Sequence, residues 1–313
     1  MGRVKGRAER GRGGRGRAGE GGGAERERGA RPSGRGGGGG GATLAPVTDA
    51  STEPDRHFGE QGARLTYGSY LRVAELLDQQ HLQSDPPAHD ELLFITIHQV
   101  YELWFKQLLH ELVEARAEMY AGNLWRARHL LNRVVTVEDV LIRQVAVLET
   151  MTPQDFLVFR GRLAPASGFQ SVQFRELEFI SGAKDPGYLD RFRGLTDDEV
   201  ARLRKRLDEP TLWDAFVHVV TQAGLDTSSD TALIESLLTV AHDRGTYGPV
   251  WDLAERLLDH DANAAMWRAR HVLMVERQIG TKSGTGGSTG APYLRSRVDL
   301  HYSPLLWELR SHL

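Results

Sequence analysis

Residues 90–120 read DELLFITIHQVYELWFKQLLHELVEARAEMY, and they decide the fold class of this 313-residue chain. Apolar side chains recur there at intervals of three and four residues, which is the spacing of one face of an α-helix. The predicted helix is about eight turns long, and Gly122-Asn123 is predicted to end it. Its members are Leu93, Ile97, Val100, Trp104, Leu108 and Leu112.

The helical period continues towards the C-terminus, and the alternation typical of strands is hard to find. A second long helix is predicted over residues 124–150, and the last one over residues 248–279 with a break near residues 259–261. The chain from about residue 65 is therefore predicted to be all-α, a helical bundle in one domain. Further helix starts are predicted at Thr152-Pro153, at the Thr196-x-x-Glu199 capping box and at Pro210, and helix ends at Gly224 and Gly245.

The N-terminal part of the chain differs in composition from the rest. Residues 1–41 hold eleven basic and four acidic residues and 18 of the 35 glycines, which leaves 28 basic and 38 acidic residues beyond them. Because this part has little apolar surface to bury, residues 1–48 are predicted to be a disordered Arg/Gly-rich extension and residues 49–313 an all-helical domain. We expect a solvated appendage and no nucleic-acid partner, since no Phe or Tyr is present to stack on bases. An RNA-binding arm and a start codon assigned too far upstream are the alternatives.

The composition excludes several kinds of site. There is no cysteine, which rules out disulfides, thiolate metal sites, iron–sulfur clusters and cysteine nucleophiles. Twelve histidines suggest a carboxylate di-metal centre, haem or acid–base catalysis. The sequence has no pair of Glu-x-x-His motifs, which a carboxylate di-metal centre would need. It also has no His-Glu-x-x-His motif, which argues against a zinc hydrolase. No apolar run reaches the ~20 residues of a membrane span, so we expect a cytoplasmic protein with no membrane partner.

His98 is the most unusual histidine, because it lies within the most apolar helix. Phe94 precedes it by one turn and Glu102 follows it by one turn, so the three share a helix face. His98 is either a core histidine whose ring nitrogens are satisfied, for example by Glu102, or a neutral imidazole that binds a ligand in an apolar pocket.

The pentapeptide WRARH occurs twice, at residues 125–129 and 267–271. An ordinary amphipathic helix follows the first copy, which favours a structural or exposed His129. The second copy comes within ten residues of GTKSGTGGSTG at 280–290, a Gly-rich segment that does not match a nucleotide-binding P-loop. A helix followed by a mobile loop is typical of a buried site with a lid, so His271 is a ligand candidate with Trp267 packed beside it. A structural His271 stays equally consistent with the pattern.

A third candidate lies in FLVFRGRLAPASGFQSVQFRELE, residues 156–178. Arg160 follows Phe156 and Phe159 there, so a cation stands among aromatic side chains. Such an arginine either extends to water or holds a carboxylate through two parallel hydrogen bonds. The neighbouring aromatics favour the wall of a pocket.

These segments together closely resemble the tryptophan 2,3-dioxygenase family, in order, over essentially the whole chain from about residue 55. The resemblance implies an all-helical domain enclosing a haem b pocket, with one haem per subunit. It implies an oxidoreductase that inserts both atoms of O₂ into L-tryptophan to give N-formyl-L-kynurenine, the first step of tryptophan catabolism by the kynurenine pathway. The resemblance rests on LTYGSYL at 65–71, HDELLFITIHQVYELWFKQLLHE at 89–111, LETMTPQDFLVFRGRLAPASGFQSVQFRELE at 148–178 and WRARHVLMVERQIGTKSGTGGSTGAPYL at 267–294.

The resemblance also implies a role for each matching residue. His271 is implied to be the iron ligand, with Trp267 as its neighbour, and His98 the catalytic histidine that accepts a hydrogen bond from the indole N–H. Phe94 is implied to pack on the indole. Arg160 and Thr285 are implied to bind the amino-acid end of the substrate. Phe156, Leu163, Ser167 and Gly168 are implied to line the pocket or haem edge, and Tyr67, Tyr70 and Leu71 to reach into a neighbouring site of a homotetramer built as a dimer of dimers.

Phe156 departs from the family pattern, since some members carry Tyr at this position. Two rival functions stay open at this stage. One is a less specific enzyme like indoleamine 2,3-dioxygenase, against which His98 argues because that family carries Ser there. The other is a helical haem sensor without catalysis.

Overall fold

The computed structural model describes residues 65–191, 194–286 and 290–313. Helices and no strand occur within these ranges, which confirms the predicted all-α class. Residues Arg64–Leu313 form one compact unit. The predicted disordered extension, residues 1–48, lies outside the described residues. The α-helices are α1 (Tyr67–Leu71), α2 (Val73–Leu77), α3 (His89–Tyr120), α4 (Leu124–Leu148), α5 (Pro153–Arg160), α6 (Val172–Ser181), α7 (Tyr188–Arg191), α8 (Asp197–Asp208), α9 (Leu212–Gln222), α10 (Asp230–His242), α11 (Arg244–Ile279), α12 (Ala291–Arg295) and α13 (Pro304–Leu309).

The apolar stripe predicted on α3 faces the core of the bundle. Ile97, Leu108 and Leu112 are buried, and Leu93 and Trp104 pack against the same cluster from partly buried positions. Burying such side chains is the main favourable contribution to folding, because it removes apolar surface from water. None of the described helices combines the length and apolar character needed to cross a lipid bilayer.

Helices α3 and α4 run antiparallel along the centre of the bundle. The hydroxyl of Tyr101 donates to the carbonyl of Leu141 at 3.0 Å, and Arg133 pairs with the buried Glu111 at 2.8 Å. The later residue on α3, Glu111, contacts the earlier residue on α4, Arg133. The two helices therefore run in opposite directions.

Helix α11 runs in the same direction as α4. Nδ1 of His260 lies 2.5 Å from the Glu138 carboxylate, and Arg270 pairs with Glu149 at 2.9 Å. The N-terminal part of α3 and the C-terminal part of α11 therefore lie at the same end of the bundle. Residues far apart in sequence, His98 and His271 among them, are brought together there.

The predicted break near residues 259–261 is wrong, because α11 is continuous. Burying His260 and Asp261 within a helix is tolerated when their polar atoms find partners. Nε2 of His260 lies 2.8 Å from the Ser181 hydroxyl. One carboxylate oxygen of Asp261 accepts from the backbone N–H of Tyr302 and Ser303 at 2.8 and 3.0 Å.

The helix end predicted at Gly245 is also wrong. Helix α10 already ends at His242, and the carboxylate of Asp243 caps the next helix by accepting from the backbone N–H of Thr246 at 3.1 Å. Gly245 therefore lies in the first turn of α11. By contrast Thr152 caps α5 as predicted, and Gly224 follows the end of α9 with a φ of 80°.

Candidate active site

A cavity of about 270 Å³ lies where the N-terminal part of α3 meets the C-terminal part of α11. Helices α4, α5, α6 and α12 contribute to its wall, together with residues 167–171, Gly284, Thr285 and Gly290. Most of the wall is aromatic or aliphatic, and a few polar groups converge on it, as is usual for small-molecule sites. The predicted site residues that line it are Phe94, His98, Phe156, Arg160, Ser167, Gly168, Trp267, His271 and Thr285.

Four predicted site residues do not line this cavity within the described chain. Leu163 is partly buried and packs against the main hydrophobic core. Tyr67, Tyr70 and Leu71 belong to α1 and are 80%, 72% and 45% exposed. Helix α1 buries none of its own residues against this chain.

The orientation of His98 is fixed by a hydrogen bond within its own helix. Nδ1 of His98 lies 2.7 Å from the carbonyl oxygen of Phe94, which can only accept, so Nδ1 carries the proton. In the neutral ring Nε2 is then an acceptor. Burial lowers the pKa of His98 below its ordinary value of 6.5, although the Phe94 carbonyl and the charge of Glu102 act in the opposite direction. His98 therefore presents an unprotonated nitrogen to the cavity at neutral pH.

Glu102 does not satisfy the ring of His98. Its carboxylate instead accepts from the side-chain amide of Gln173 at 2.8 Å. One of the two readings of His98 from the sequence, a core histidine satisfied by this carboxylate, therefore does not describe the structure.

His271 faces the same cavity, and its imidazole makes no hydrogen bond or ion pair with the described residues. Burial, and secondarily the charge of His98, lower the pKa of His271 to about 4. Trp267 stacks on it, with ring centroids 5.1 Å apart and an angle of 10° between the planes. His271 is thus a neutral imidazole whose lone pair is available to a metal ion.

The other WRARH copy has the same local geometry in a different environment. Trp125 stacks on His129 with ring centroids 5.4 Å apart and an angle of 6°. Trp125 is 70% exposed, however, and His129 is also exposed. The pentapeptide sets the stacked pair through its i, i+4 spacing, and only the second copy faces a cavity.

Three phenylalanines form an aromatic group beside His98. The Phe94 ring lies 4.2 Å from the His98 ring between centroids, and it stacks on Phe156 at 5.6 Å. Phe159 packs edge-on against both at 5.6 and 5.5 Å. This group offers flat apolar surface to a planar aromatic ligand next to the acceptor nitrogen of His98.

The Gly-rich segment after α11 is attached to the cavity mouth by two hydrogen bonds. The guanidinium of Arg160 donates to the carbonyl of Ser283. The hydroxyl of Thr285 donates to the carbonyl of Ala166 at 2.6 Å. Both side chains therefore donate to neutral backbone oxygens, which an anionic ligand group can replace with a stronger, charge-assisted bond.

Close packing explains two glycines of this segment. A methyl group added at Gly286 would lie 2.5 Å from Cβ of Ser167, and one at Gly290 would lie 2.7 Å from the carbonyl oxygen of Lys282. Gly290 also has a φ of 73°, a conformation that other residues rarely adopt. Glycine at 286 therefore allows the segment to approach Ser167, and glycine at 290 allows the chain to pass close to the Lys282 carbonyl.

Sequence reasoning missed several residues of the cavity wall. Tyr101 lies one turn after His98, and burial raises the pKa of its hydroxyl to about 12, although Trp267 and Arg270 act in the opposite direction. Helical spacing from His98 and His271 could have indicated some of these residues, but not which side chains face inward. The missed polar and aromatic residues include Tyr101, Phe105, Phe174, Arg175, Arg268, Tyr293 and Arg297.

Residues 50–231 and 227–313 match the family described as tryptophan 2,3-dioxygenase. The chain belongs to the tryptophan 2,3-dioxygenase family. A relative of that name from Nocardioides is 67% identical over 260 residues, which cover 82% of this chain and 97% of the relative.

More distant tryptophan 2,3-dioxygenases match over the same extent. The relative from Herpetosiphon aurantiacus is 46% identical, over 80% of this chain and 98% of its own length. The one from Anaeromyxobacter dehalogenans is 42% identical, over 84% of this chain and its whole length. These matches confirm the family inferred from the four sequence blocks, and residues 1–49 lie outside the family match.

Proposed function

We propose that this protein is a haem-dependent dioxygenase that converts L-tryptophan and O₂ to N-formyl-L-kynurenine, the first step of tryptophan catabolism by the kynurenine pathway. Membership of the tryptophan 2,3-dioxygenase family carries this proposal. The cavity supports it, because a neutral histidine suited to a metal and a second histidine suited to an indole face one mostly apolar space.

The residues around the cavity fit haem b, one per subunit. His271 offers a neutral imidazole without another partner, which is the usual proximal ligand of such iron. Trp267 would keep the imidazole plane in place by stacking on it. Ser167 and Gly168 would border the haem edge, and Leu163 would support that edge from the core. Bound haem would supply the iron at which O₂ is activated.

His98 would orient the substrate ring. An indole N–H can only donate, and the acceptor nitrogen of His98 is Nε2 because Nδ1 already donates to Phe94. Phe94 and Phe156 would pack against the indole and keep its reactive edge in a fixed position. His98 thus acts through orientation and an accepted hydrogen bond.

Arg160 and Thr285 would distinguish L-tryptophan from bare indole. Arg160 can exchange its bond to the Ser283 carbonyl for a bidentate bond to the substrate carboxylate. Thr285 can offer its hydroxyl to the amino-acid end in the same way. An analogue without these groups would leave Arg160 and Thr285 on their backbone acceptors and gain no charge-assisted bond, so we expect the enzyme to convert it less efficiently. Closure of the segment would also exclude water from the reacting centre.

We also propose a homotetramer, a dimer of dimers, in which α1 reaches a neighbouring active site. Helix α1 has no buried residue in this chain, and its apolar side chains Tyr67, Tyr70 and Leu71 are exposed. Light scattering coupled to size exclusion would measure the assembly, and a monomer that retains activity would contradict the proposal. A cytoplasmic location stays a prediction, which cell fractionation would test.

One reaction tests the function directly. The full chain is reconstituted with haem, reduced with dithionite, desalted, and mixed with L-tryptophan in air while N-formylkynurenine is followed. We expect product with L-tryptophan and much less with D-tryptophan or tryptamine. Bound haem without product would refute catalysis and favour a haem sensor. Equal rates with all three compounds would refute the roles of Arg160 and Thr285.

A further inference from the structure

Besides Arg160, three arginines line the cavity that His271 faces: Arg175, Arg268 and Arg297. Arg175 and Arg268 are each only 5% exposed, and Arg297 is half-buried. Nε of each is buried without a hydrogen-bond acceptor among the described residues. A buried guanidinium N–H without a partner is costly, so these groups indicate an acceptor that belongs to a ligand.

The partners of the three arginines show how much of their charge is compensated. Arg175 is paired with the buried Glu178. Arg268 donates to the hydroxyl of Tyr302 at 3.3 Å and to a backbone carbonyl, and both acceptors are neutral. The guanidinium of Arg297 has neither an ion pair nor a hydrogen bond with the described residues. Two of the three positive charges therefore have no carboxylate beside them.

The ionisable side chains of the whole cavity wall also leave an excess of two positive charges. Four arginines line it, the three above and Arg160, and the carboxylates are Glu102 and Glu178. Counting these arginines and carboxylates alone, four positive charges stand against two negative ones, a net charge of +2. A ligand with two carboxylates would neutralise it, whereas a zwitterionic amino acid would not.

A purely structural role accounts for only part of this arrangement. Arg268 does attach α11 to the segment before α13 through Tyr302 and the Leu300 carbonyl. Within the described chain, that attachment leaves Nε of Arg268 and the guanidinium of Arg297 without a hydrogen-bond acceptor. The ligand must also be largely flat and apolar, because Phe105, Phe174 and Trp267 form the wall beside these arginines.

We propose that Arg268 and Arg297 bind the two propionate carboxylates of the haem, while Glu178 holds Arg175 in place beside them. This inference rests on the proposed function, since it assigns residues to the cofactor of that same site. The two charge-assisted bonds would slow haem loss and fix the rotation of the macrocycle about the bond between His271 and iron.

The test compares haem b with its dimethyl ester, in which both carboxylates are blocked. Ferric holoprotein is mixed with excess apomyoglobin, and transfer of the cofactor is followed by absorbance. We expect Arg297→Met to lose haem about tenfold faster than wild type, or more, and to lose the dimethyl ester no faster than wild type does. Arg295→Met is the matched control, because that arginine is 63% exposed and pairs with Glu276 away from the cavity. It should leave both rates unchanged.

Arg268→Met should behave like Arg297→Met, but it also loses the contact with Tyr302. Circular dichroism therefore accompanies it, and Arg297→Met remains decisive if Arg268→Met fails to fold. If Arg297→Met accelerates the loss of haem and of the ester equally, or accelerates neither, the assignment of the propionates to Arg268 and Arg297 is overturned. Haem binding by wild type would still stand in that case. If wild type binds neither cofactor, the proposed function itself is overturned together with this inference.

Discussion

Replacing Arg160 by methionine should remove much of the discrimination between L-tryptophan and tryptamine, which lacks the carboxylate. Methionine keeps an unbranched apolar side chain beside Phe156 and Phe159, so the wall of the cavity is largely preserved. What disappears is the guanidinium that lines the cavity and donates to the Ser283 carbonyl.

The size of the effect follows from the bond that is lost. A hydrogen bond to a charged group contributes about 1.5–3 kcal/mol. At about 1.36 kcal/mol for each factor of ten, this corresponds to a fall in kcat/KM for L-tryptophan of about 10- to 150-fold. For tryptamine the bond does not form in wild type, so the substitution should change kcat/KM by less than about threefold, the effect of the lost contact with Ser283 included.

The assay measures initial rates of ring opening with both compounds for wild type and Arg160→Met, each corrected for haem content. The four values form a cycle that isolates the interaction between the guanidinium and the carboxylate. Arg162→Met is the control, since Arg162 is exposed two residues further along the chain. Equal losses with L-tryptophan and tryptamine would refute the reasoning, because they would mean that Arg160 supports the cavity and does not bind the carboxylate.

Three further predictions concern the histidines and the Gly-rich segment. His271→Ala should abolish histidine-ligated haem in the absorption and resonance Raman spectra, whereas His129→Ala should retain it, and the reverse outcome would exchange the roles of the two WRARH copies. The pKa of His98 is lowered from 6.5, so its acceptor nitrogen stays unprotonated as the pH falls through 6.5. We therefore expect kcat/KM for L-tryptophan to decline only below that pH. A decline that starts above pH 6.5 would count against His98 as the acceptor. Gly286→Ala places a methyl group 2.5 Å from Cβ of Ser167, so KM for L-tryptophan should rise about tenfold while haem content is unchanged, and an unaltered KM would show that the segment does not need this close approach.

Much of the fold could be predicted from the sequence because helices are specified locally. The three-and-four spacing of apolar residues gave the long helices, and Thr152 and Thr196 marked helix starts by capping backbone N–H groups. The errors came where distant residues compensate a local signal. The polar residues His260 and Asp261 predicted a break in α11, but partners on α4, on α6 and in the segment before α13 satisfy them within a continuous helix.

The candidate site divides in the same way. Phe94, His98 and Arg160 stood out by their chemistry within apolar helices, and the family blocks assigned them roles. Arg268 and Arg297 did not stand out, because an arginine is ordinarily a solvated surface residue. Only the packing of α11 and of the turn after α12 reveals that their side chains line a cavity and have no carboxylate partner among the described residues.

The two WRARH copies separate what the sequence determined from what the tertiary structure decided. The sequence by itself determined a Trp stacked on a His in both copies, because the i, i+4 spacing of a helix places the two rings side by side. Tertiary structure decided that His129 is exposed and that His271 faces an apolar cavity with a lowered pKa. Burial and electrostatic environment depend on contacts between helices far apart in the chain, and a pentapeptide cannot encode them.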